Sequence, residues 1–418
     1  MKNIFKNSEL RKKIFFTLLV LVFFRLLAHI PVPGVDIAAI RAYLQGNVFF
    51  GLFDLFSGGA FQNFSIVTLG LNPYINVSII MQLFTIMIPS LEELSKEGDV
   101  GREKINMYNR FLTVPMALAQ AYGIYFLLNK QGVIGVLQPF DLVILIITMT
   151  VGALLLVWLG ELISEYGIGN GTSIIIFASI IGRLPSALIS FASTSTANSI
   201  FSTLGFIVLS LVVIVGVVLV NEGTRNIVVE YGRRGVKSQK VTNFLPIKVN
   251  QAGVIPIIFA VSMVMLPNLI SAPLQQSSNA VFQNMGVFMA RNFTENSLMY
   301  NVLYFVLVVG FTFLYTFIQF NPQKIADDVK KRGGFIPGIR PGMATERFLR
   351  TIVLRITAWG ALFLGLVAIL PYIVQSLMGI SNLTIGGTGL LIVVSVVLET
   401  IRQIQALTVS RSYESFLG

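Results

Sequence analysis

Cysteine is absent from this 418-residue chain, and histidine occurs once, as His29. Without thiols there is no disulfide, no thiolate nucleophile and no Cys-ligated metal. A single imidazole also falls short of the several ligands that a His-based metal site needs. Charge is scarce too. Asp, Glu, Lys and Arg make up 12% of residues, where a soluble domain carries about 25%. Hydrophobic residues reach 55% and mean hydropathy is +0.79. The chain reads as an all-α polytopic membrane protein, with no cofactor and no enzymatic activity expected. An intramembrane enzyme would need an acid/base pair or a nucleophile set, and none is found.

What is there begins with long apolar runs. They lie near 14–30, 71–89, 107–128, 142–160, 171–190, 202–221, 252–271, 299–320, 350–375 and 385–407, which predicts ten membrane helices. Each is near the roughly 20 residues that a spanning helix takes. The first follows Lys2, Lys6, Arg11, Lys12 and Lys13, as a signal peptide would. It ends in Arg25, His29 and Pro31-Val32-Pro33-Gly34 rather than a small-residue cleavage site, so it reads as a retained helix.

An even number of spans puts both termini on one side, and Lys/Arg bias makes that side cytosolic. Loops assigned inside hold Lys96, Arg102, Lys104 and Arg110, then Arg225, Arg233, Arg234, Lys237, Lys240 and Lys248. A third adds Lys324, Lys330, Lys331, Arg332, Arg340, Arg347 and Arg350. Loops assigned outside hold only Arg41, Lys130, Arg183 and Arg291.

The stretch Gly51 to Pro89 is apolar yet too broken to cross a membrane simply. Leu52 to Phe56 reads as a short amphipathic helix stopped by Gly58-Gly59, and a polar turn with Gln62, Asn63 and Ser65 follows. Irregular backbone at membrane depth survives only inside protein or beside water. This stretch is therefore expected to line something wet.

The plan repeats. Residues 1–195 and 196–418 each hold five runs, joined by the low-charge segment Ser190 to Ser202. Five is odd, so the two halves must lie inverted, which is a transporter architecture. Two inside loops, 221–250 and 321–350, are longer than topology requires. Gly333-Gly334, Pro337-Gly338 and Pro341-Gly342 mark the second as a structured turn rather than a helix. Such basic loops suit RNA phosphate or an acidic protein surface. Ordinary positive-inside bias or attraction to anionic lipid is the plainer account, but topology needs only a few charges, and the length of these loops favours a docking site.

Chemistry is otherwise thin. Gly167-Ile168-Gly169-Asn170-Gly171-Thr172-Ser173 looks like a phosphate loop, but it lacks the P-loop lysine and a preceding strand. It reads as a glycine-rich turn leading into a helix, as does Gly386-Gly387-Thr388-Gly389. Glu161, Glu165 and Glu399 lie at helix ends, whereas ion-coupled carriers keep ionisable groups near the midplane. Arg25, within the first run, is the exception; snorkelling or a buried partner would account for it. Apolar residues recur beside helix breakers. The usual reading is lipid contact or core; a constriction that gates by excluding water is the sharper one, and composition alone does not choose between them.

Several long motifs carry a resemblance. Phe56-Ser57-Gly58-Gly59, Leu71-Asn72-Pro73-Tyr74-Ile75 and Gly169-Asn170-Gly171-Thr172-Ser173-Ile174-Ile175-Ile176-Phe177 resemble the SecY/Sec61-alpha family. So do Gln251-Ala252-Gly253-Val254-Ile255-Pro256, Gly334-Phe335-Ile336-Pro337-Gly338-Ile339-Arg340-Pro341-Gly342 and Gly386-Gly387-Thr388. The resemblance covers essentially the whole chain.

It implies two pseudo-symmetric five-helix halves around an hourglass pore, through which unfolded secretory polypeptides pass and from which membrane segments leave sideways into lipid. The pore ring would be Leu71, Ile75, Thr172, Ile176, Ile258 and Ile392, with Thr172 departing from the family's usual aliphatic residue. A plug at about 51–65 would include Leu52, Phe53, Leu55, Phe56, Ser57, Gly58 and Gly59. The lateral gate, between helices two and three on one side and seven and eight on the other, would use Asn76, Gln120 and Ser262.

Arg233, Arg234, Lys237, Lys330, Lys331, Arg332 and Arg340 would dock the ribosome and the SecA ATPase. SecE and SecG would be the membrane partners, the bacterial inner membrane the location, and DNA no partner. The competing expectation is a secondary transporter of small solutes, which also has inverted halves.

Overall fold

The computed structural model describes residues 8–33, 35–45, 54, 57–194, 200–231, 242–275, 277, 279–294, 297–378 and 387–417. Each expected apolar run coincides with a helix. In chain order these helices are α1 (Ser8–Leu27), α2 (Ile37–Gln45), α3 (Asn72–Met87), α4 (Pro89–Lys96), α5 (Asp99–Lys130), α6 (Pro139–Tyr166) and α7 (Gly171–Thr194). Then follow α8 (Ile200–Glu222), α9 (Ile255–Gln275), α10 (Ala280–Asn292), α11 (Leu298–Gln319), α12 (Pro322–Lys331), α13 (Met343–Met378) and α14 (Gly387–Leu417). Among the described residues, five are long and apolar enough to cross a membrane, and the bent pair α3–α4 makes a sixth.

Local signals set the boundaries. Pro73 sits in the first turn of α3, where its missing N–H has no partner to lose. Pro89 does the opposite at the other end. It forces Ile88 into extended backbone, and α4 leaves at 100° to α3. Asn321 caps α12 by accepting from the Lys324 N–H at 3.1 Å, with Pro322 next in line.

The chain divides into two compact units. One comprises 1–194 with 270–290 and 396–418. In it α3 packs on α5, α5 on α6 and α6 on α7, while α1 packs against α6 and α7. Its core gathers Val32, Ile40, Phe61, Phe64, Leu69 and Leu128 with Ala117 and Ala121 of α5 and Leu145, Met149 and Ala153 of α6.

The other unit comprises 195–269 and 291–395. Here α11 packs along α13, and α8 touches α13. This unit also carries a small sheet, an addition to the all-helical expectation. β1 (Thr224–Tyr231) pairs antiparallel with β2 (Thr242–Lys248), from Thr224↔Lys248 to Glu230↔Thr242. β3 (Gly334–Phe335) pairs on the other edge of β1, Glu230↔Phe335 and Tyr231↔Gly334. The loop around 321–350 was expected to be a turn rather than a helix; α12 corrects that. The Asn321-Pro322 start and the Ile325, Ala326, Val329 stripe outweigh the later glycines, which act only after Lys331. Ile227, Val229 and Ile247 of the sheet share a core with Ala326, Ile336, Leu349 and Val353.

Exposed apolar side chains cover the long helices, among them Phe15, Phe111, Trp158, Val306 and Trp359. A soluble protein seldom exposes this much contiguous apolar surface. On helices of spanning length it is the face that lipid covers.

Candidate functional site

The broken stretch divides into two parts with different physics. From Ala60 to Leu71 it is core: Ala60, Phe61, Phe64 and Ser65 have no exposed surface. Backbone bonds tie it to the chain after α1, Val32 N–H to Phe64 O at 2.9 Å and Ile66 N–H to Ile30 O at 3.0 Å. Gly152 of α6 lets that helix come against it, since a Cβ there would lie 1.8 Å from Ile66 O. Before Ala60 the described residues are held instead by polar groups. Leu52, Phe53, Leu55 and Phe56 lie outside the described residues.

Asp54 is buried, and its carboxylate Oδ2 pairs with Arg183 Nη1 of α7 at 2.5 Å. Its Oδ1 accepts the Gln62 N–H at 2.9 Å. Burial pushes the Asp54 carboxyl above the usual carboxylate range, outweighing Arg183, the Gln62 and Phe61 N–H groups and Arg25, which all act to lower it. Arg25 of α1 reaches across with both terminal nitrogens, to Gly58 O at 2.5 Å and Gly182 O at 2.8 Å. Gly58 and Gly59 have φ of +70° and +87°, which only glycine adopts cheaply. Sequence reasoning placed Arg183 in a loop and expected Arg25 to snorkel or to find a buried partner; the partners are the carbonyls of Gly58 and Gly182. Their glycine neighbours, Gly182 and Gly58, were the available signal.

Glycine also explains the start of α7. A Cβ on Gly171 would lie 1.7 Å from Gly160 O, so this turn packs against α6 and offers no cradle for phosphate. Asn170 Oδ1 accepts from both the Ser173 N–H (3.2 Å) and the Thr172 hydroxyl (2.6 Å). The hydroxyl of Thr172 is thus spent on the cap of its own helix.

Of the residues expected to form an apolar ring, Leu71, Ile75, Ile176, Ile258 and Ile392 are buried and Thr172 is half-buried. The first unit holds Leu71, Ile75, Thr172 and Ile176; the second holds Ile258 and Ile392. Asn76 and Gln120 are half-buried on α3 and α5, which pack together. The Ser262 hydroxyl donates to Ile258 O at 3.0 Å.

In the second unit, a polar relay missed by sequence reasoning closes the base of the 221–250 loop. Asn250 Nδ2 donates to Asn221 Oδ1 at 2.8 Å, and Asn221 Nδ2 donates to Ser395 Oγ at 2.9 Å. Ser395 lies three residues after Ile392 on α14, one turn along the same face.

Among the expected docking residues, Lys330 and Lys331 end α12, Arg332 follows as its C-cap, and Arg340 is exposed. β3 ties this loop to the β1–β2 hairpin. Arg233, Arg234 and Lys237 lie outside the described residues.

A family model described as SecY matches residues 65–401. The protein translocase subunit SecY of Corynebacterium glutamicum is 42% identical, covering 99% of this chain and 98% of that one. The same subunit of Thermus thermophilus is 44% identical over 98% of this chain and 95% of its own. Among solved structures, a SecY whose plug domain stabilizes the closed state of the translocation channel aligns with TM-score 0.65 and 20% identity, over 96% of this chain and 93% of its own. A protein conducting channel aligns at 0.63 with 20% identity and the same coverage. Sec61 of the canine ribosome-channel complex from the endoplasmic reticulum aligns at 0.59 with 18% identity, again covering 96% and 93%. Full-length identity above 40% to two translocase subunits, together with this shared helical fold, is decisive: the chain belongs to the SecY family.

Proposed function

We propose that this chain is the pore of a protein translocase, conducting unfolded secretory polypeptides across the membrane and releasing apolar segments sideways into lipid. The observation that carries it is the full-length match to translocase subunits, taken with a broken apolar segment that ends on buried Leu71 and Ile75. Passage of any sequence requires a constriction without fixed donors or charges. Leu71, Ile75, Ile176, Ile258 and Ile392 supply such side chains; they offer a passing chain no tight binding site and can exclude water at rest. Thr172 is the sixth member, its hydroxyl turned into the α7 cap.

In this reading the residues around Asp54 to Gly59 form a plug, as in the solved SecY whose plug domain maintains a membrane seal. The packing of Phe61, Phe64 and Ser65 supports a plug that moves without the residues from Ala60 onward, with Gly58-Gly59 as its hinge. Asn76, Gln120 and Ser262 form a polar seam for lateral release. Interhelical polar contacts in lipid are worth about 0.6–2 kcal/mol each, weak enough for a gate to open.

The halves 1–195 and 196–418 serve as the inverted repeats. The loops 221–250 and 321–350 face the cytosol with both termini and dock the SecA ATPase or the ribosome through Lys330, Lys331, Arg332, Arg340 and the 233–237 arginines and lysine. SecE and SecG are the membrane partners, and the site is the bacterial inner membrane. A solute transporter predicts an ionisable binding site near the midplane and has no need of large cytosolic loops; the pairing of Arg183 with Asp54 fits a structural role for that charge better.

Reconstitution of the chain with SecE and SecA tests the proposal. ATP-driven movement of a secretory precursor into vesicles is expected. Uptake of a small solute with no precursor movement would overturn it.

A further inference from the structure

Two residues of α7, Ser179 and Arg183, meet the segment before Ala60, and Gly182 is joined to it through Arg25. Ser179, Gly182 and Arg183 are spaced i, i+3, i+4 and so share one helical face. A Cβ on Gly58 would sit 3.0 Å from Ser179 Cα, so the segment lies directly on this face. A Cβ on Gly182 would sit 2.6 Å from Arg25 Nη1, so glycine there is what admits the Arg25 guanidinium. Arg25 then clasps one carbonyl of the segment, at Gly58, and one of the helix, at Gly182. Arg183, one residue on, pairs with Asp54, whose side chain is 2% exposed against 21% for the arginine.

We propose that Arg183 and Arg25 are positioning residues that latch the plug onto α7, with Asp54 as the catch. The inference rests on the plug reading and deepens it by naming what holds the plug shut.

The physical case is a match between bond strength and wetness. A carboxylate taken out of water must keep its partner, because removing one member of a buried pair leaves an uncompensated charge. The latch is therefore firm in a resting, dry site. Coulomb attraction falls as the local dielectric rises. Water arriving with a polypeptide weakens the Asp54–Arg183 pair and rehydrates both charges, so the bond that resists spontaneous opening yields once the pore is occupied. An apolar plug seat would lack this property, since water strengthens the drive to keep apolar surface buried. Intrasegment bonds keep the catch in shape while it is released: Ser57 Oγ donates to Asp54 O at 3.2 Å and accepts the Phe61 N–H at 3.1 Å.

Resting ion conductance of the full chain in planar bilayers, normalised to folded protein, tests the latch. Asp54→Asn and Arg183→Gln are each expected to raise it, by at least about tenfold for a pair of this burial. The double variant should leak no more than either single one, because the two share one interaction. Arg183→Lys, which keeps the charge, should stay near the parent. Arg25→Gln should also raise conductance, and less than additively with Asp54→Asn, because the Arg25 charge acts on Asp54 as well as holding Gly58 O.

Deletion of residues 54–59 separates the two readings. A leaky deletion with silent Asp54→Asn and Arg183→Gln overturns the latch and leaves the plug standing. A tight deletion overturns the plug and the latch with it. Additive leaks in the double variant overturn the pairing. Should Asp54→Asn not fold, the contrast of Arg183→Lys with Arg183→Gln decides, and equal leak in both overturns the proposal.

Discussion

Asn250 Nδ2 donates to Asn221 Oδ1 at 2.8 Å and so clasps the two ends of a long loop. Both residues are buried, and Asn250 also holds the turn before α9, accepting the Gly253 N–H at 3.0 Å. Losing Asn250 removes hydrogen bonds from buried Asn221 and from Gly253, at a cost of about 1–3 kcal/mol. Asn250→Ala is expected to lower detergent thermal stability by that amount and to speed amide exchange in β1 and β2. Unchanged exchange would mean that the hairpin does not depend on its base.

Close approach at Gly171 gives a sharper prediction. Gly171→Ala drives a Cβ to 1.7 Å from Gly160 O, backbone against backbone, where no side-chain rotation relieves it. Destabilisation of at least about 1–3 kcal/mol is expected, as for other overpacked positions. Gly160→Ala comes no nearer than 3.3 Å, to Thr172 Cγ2, with Thr172 N at 3.4 Å, and should cost less. Melting temperatures of the two variants in one detergent check the ranking.

Replacing buried Ile392 or Ile258 by Asn puts an amide into the proposed seal. Water then finds donors and acceptors there, and dewetting weakens. Resting conductance should rise, and precursors with defective signal sequences should pass more readily. Conductance equal to the parent in both variants would remove these residues from the ring.

Arg340 is exposed, with its carbonyl accepting the Thr345 hydroxyl at 3.0 Å. Its side chain does no folding work that the structure reveals, so Arg340→Glu should alter stability by no more than about 0.5 kcal/mol. Reversal of a charge at a docking surface slows association. SecA-driven precursor transport is therefore expected to fall while the melting curve holds. Loss of the fold together with transport would refute a pure docking role.

Much of the fold was legible because the membrane constrains sequence harshly. Apolar runs near spanning length leave few alternatives, and helices indeed occupy each run. What escaped notice was short and tertiary. β1 was hidden because its Ile227 and Val229 alternate within a loop whose basic residues dominate, and β3 has only Gly334 and Phe335. Neither strand is stable without the other and the α12–α13 face beneath them. Helix α4 was missed because Pro89 marked an end, while its role as the first residue of the next helix depends on the bend.

By itself the sequence determined the class of protein, the helical spans, the absence of thiol chemistry, and the family motifs. Composition and hydrophobic length act on every residue of a span and therefore show in one dimension. Tertiary structure decided which charges meet. Arg25, Asp54 and Arg183 are far apart along the chain, and nothing in their local spacing marks them as partners. Burial gives their contacts strength, and burial exists only once α1, α7 and the broken segment share one interior.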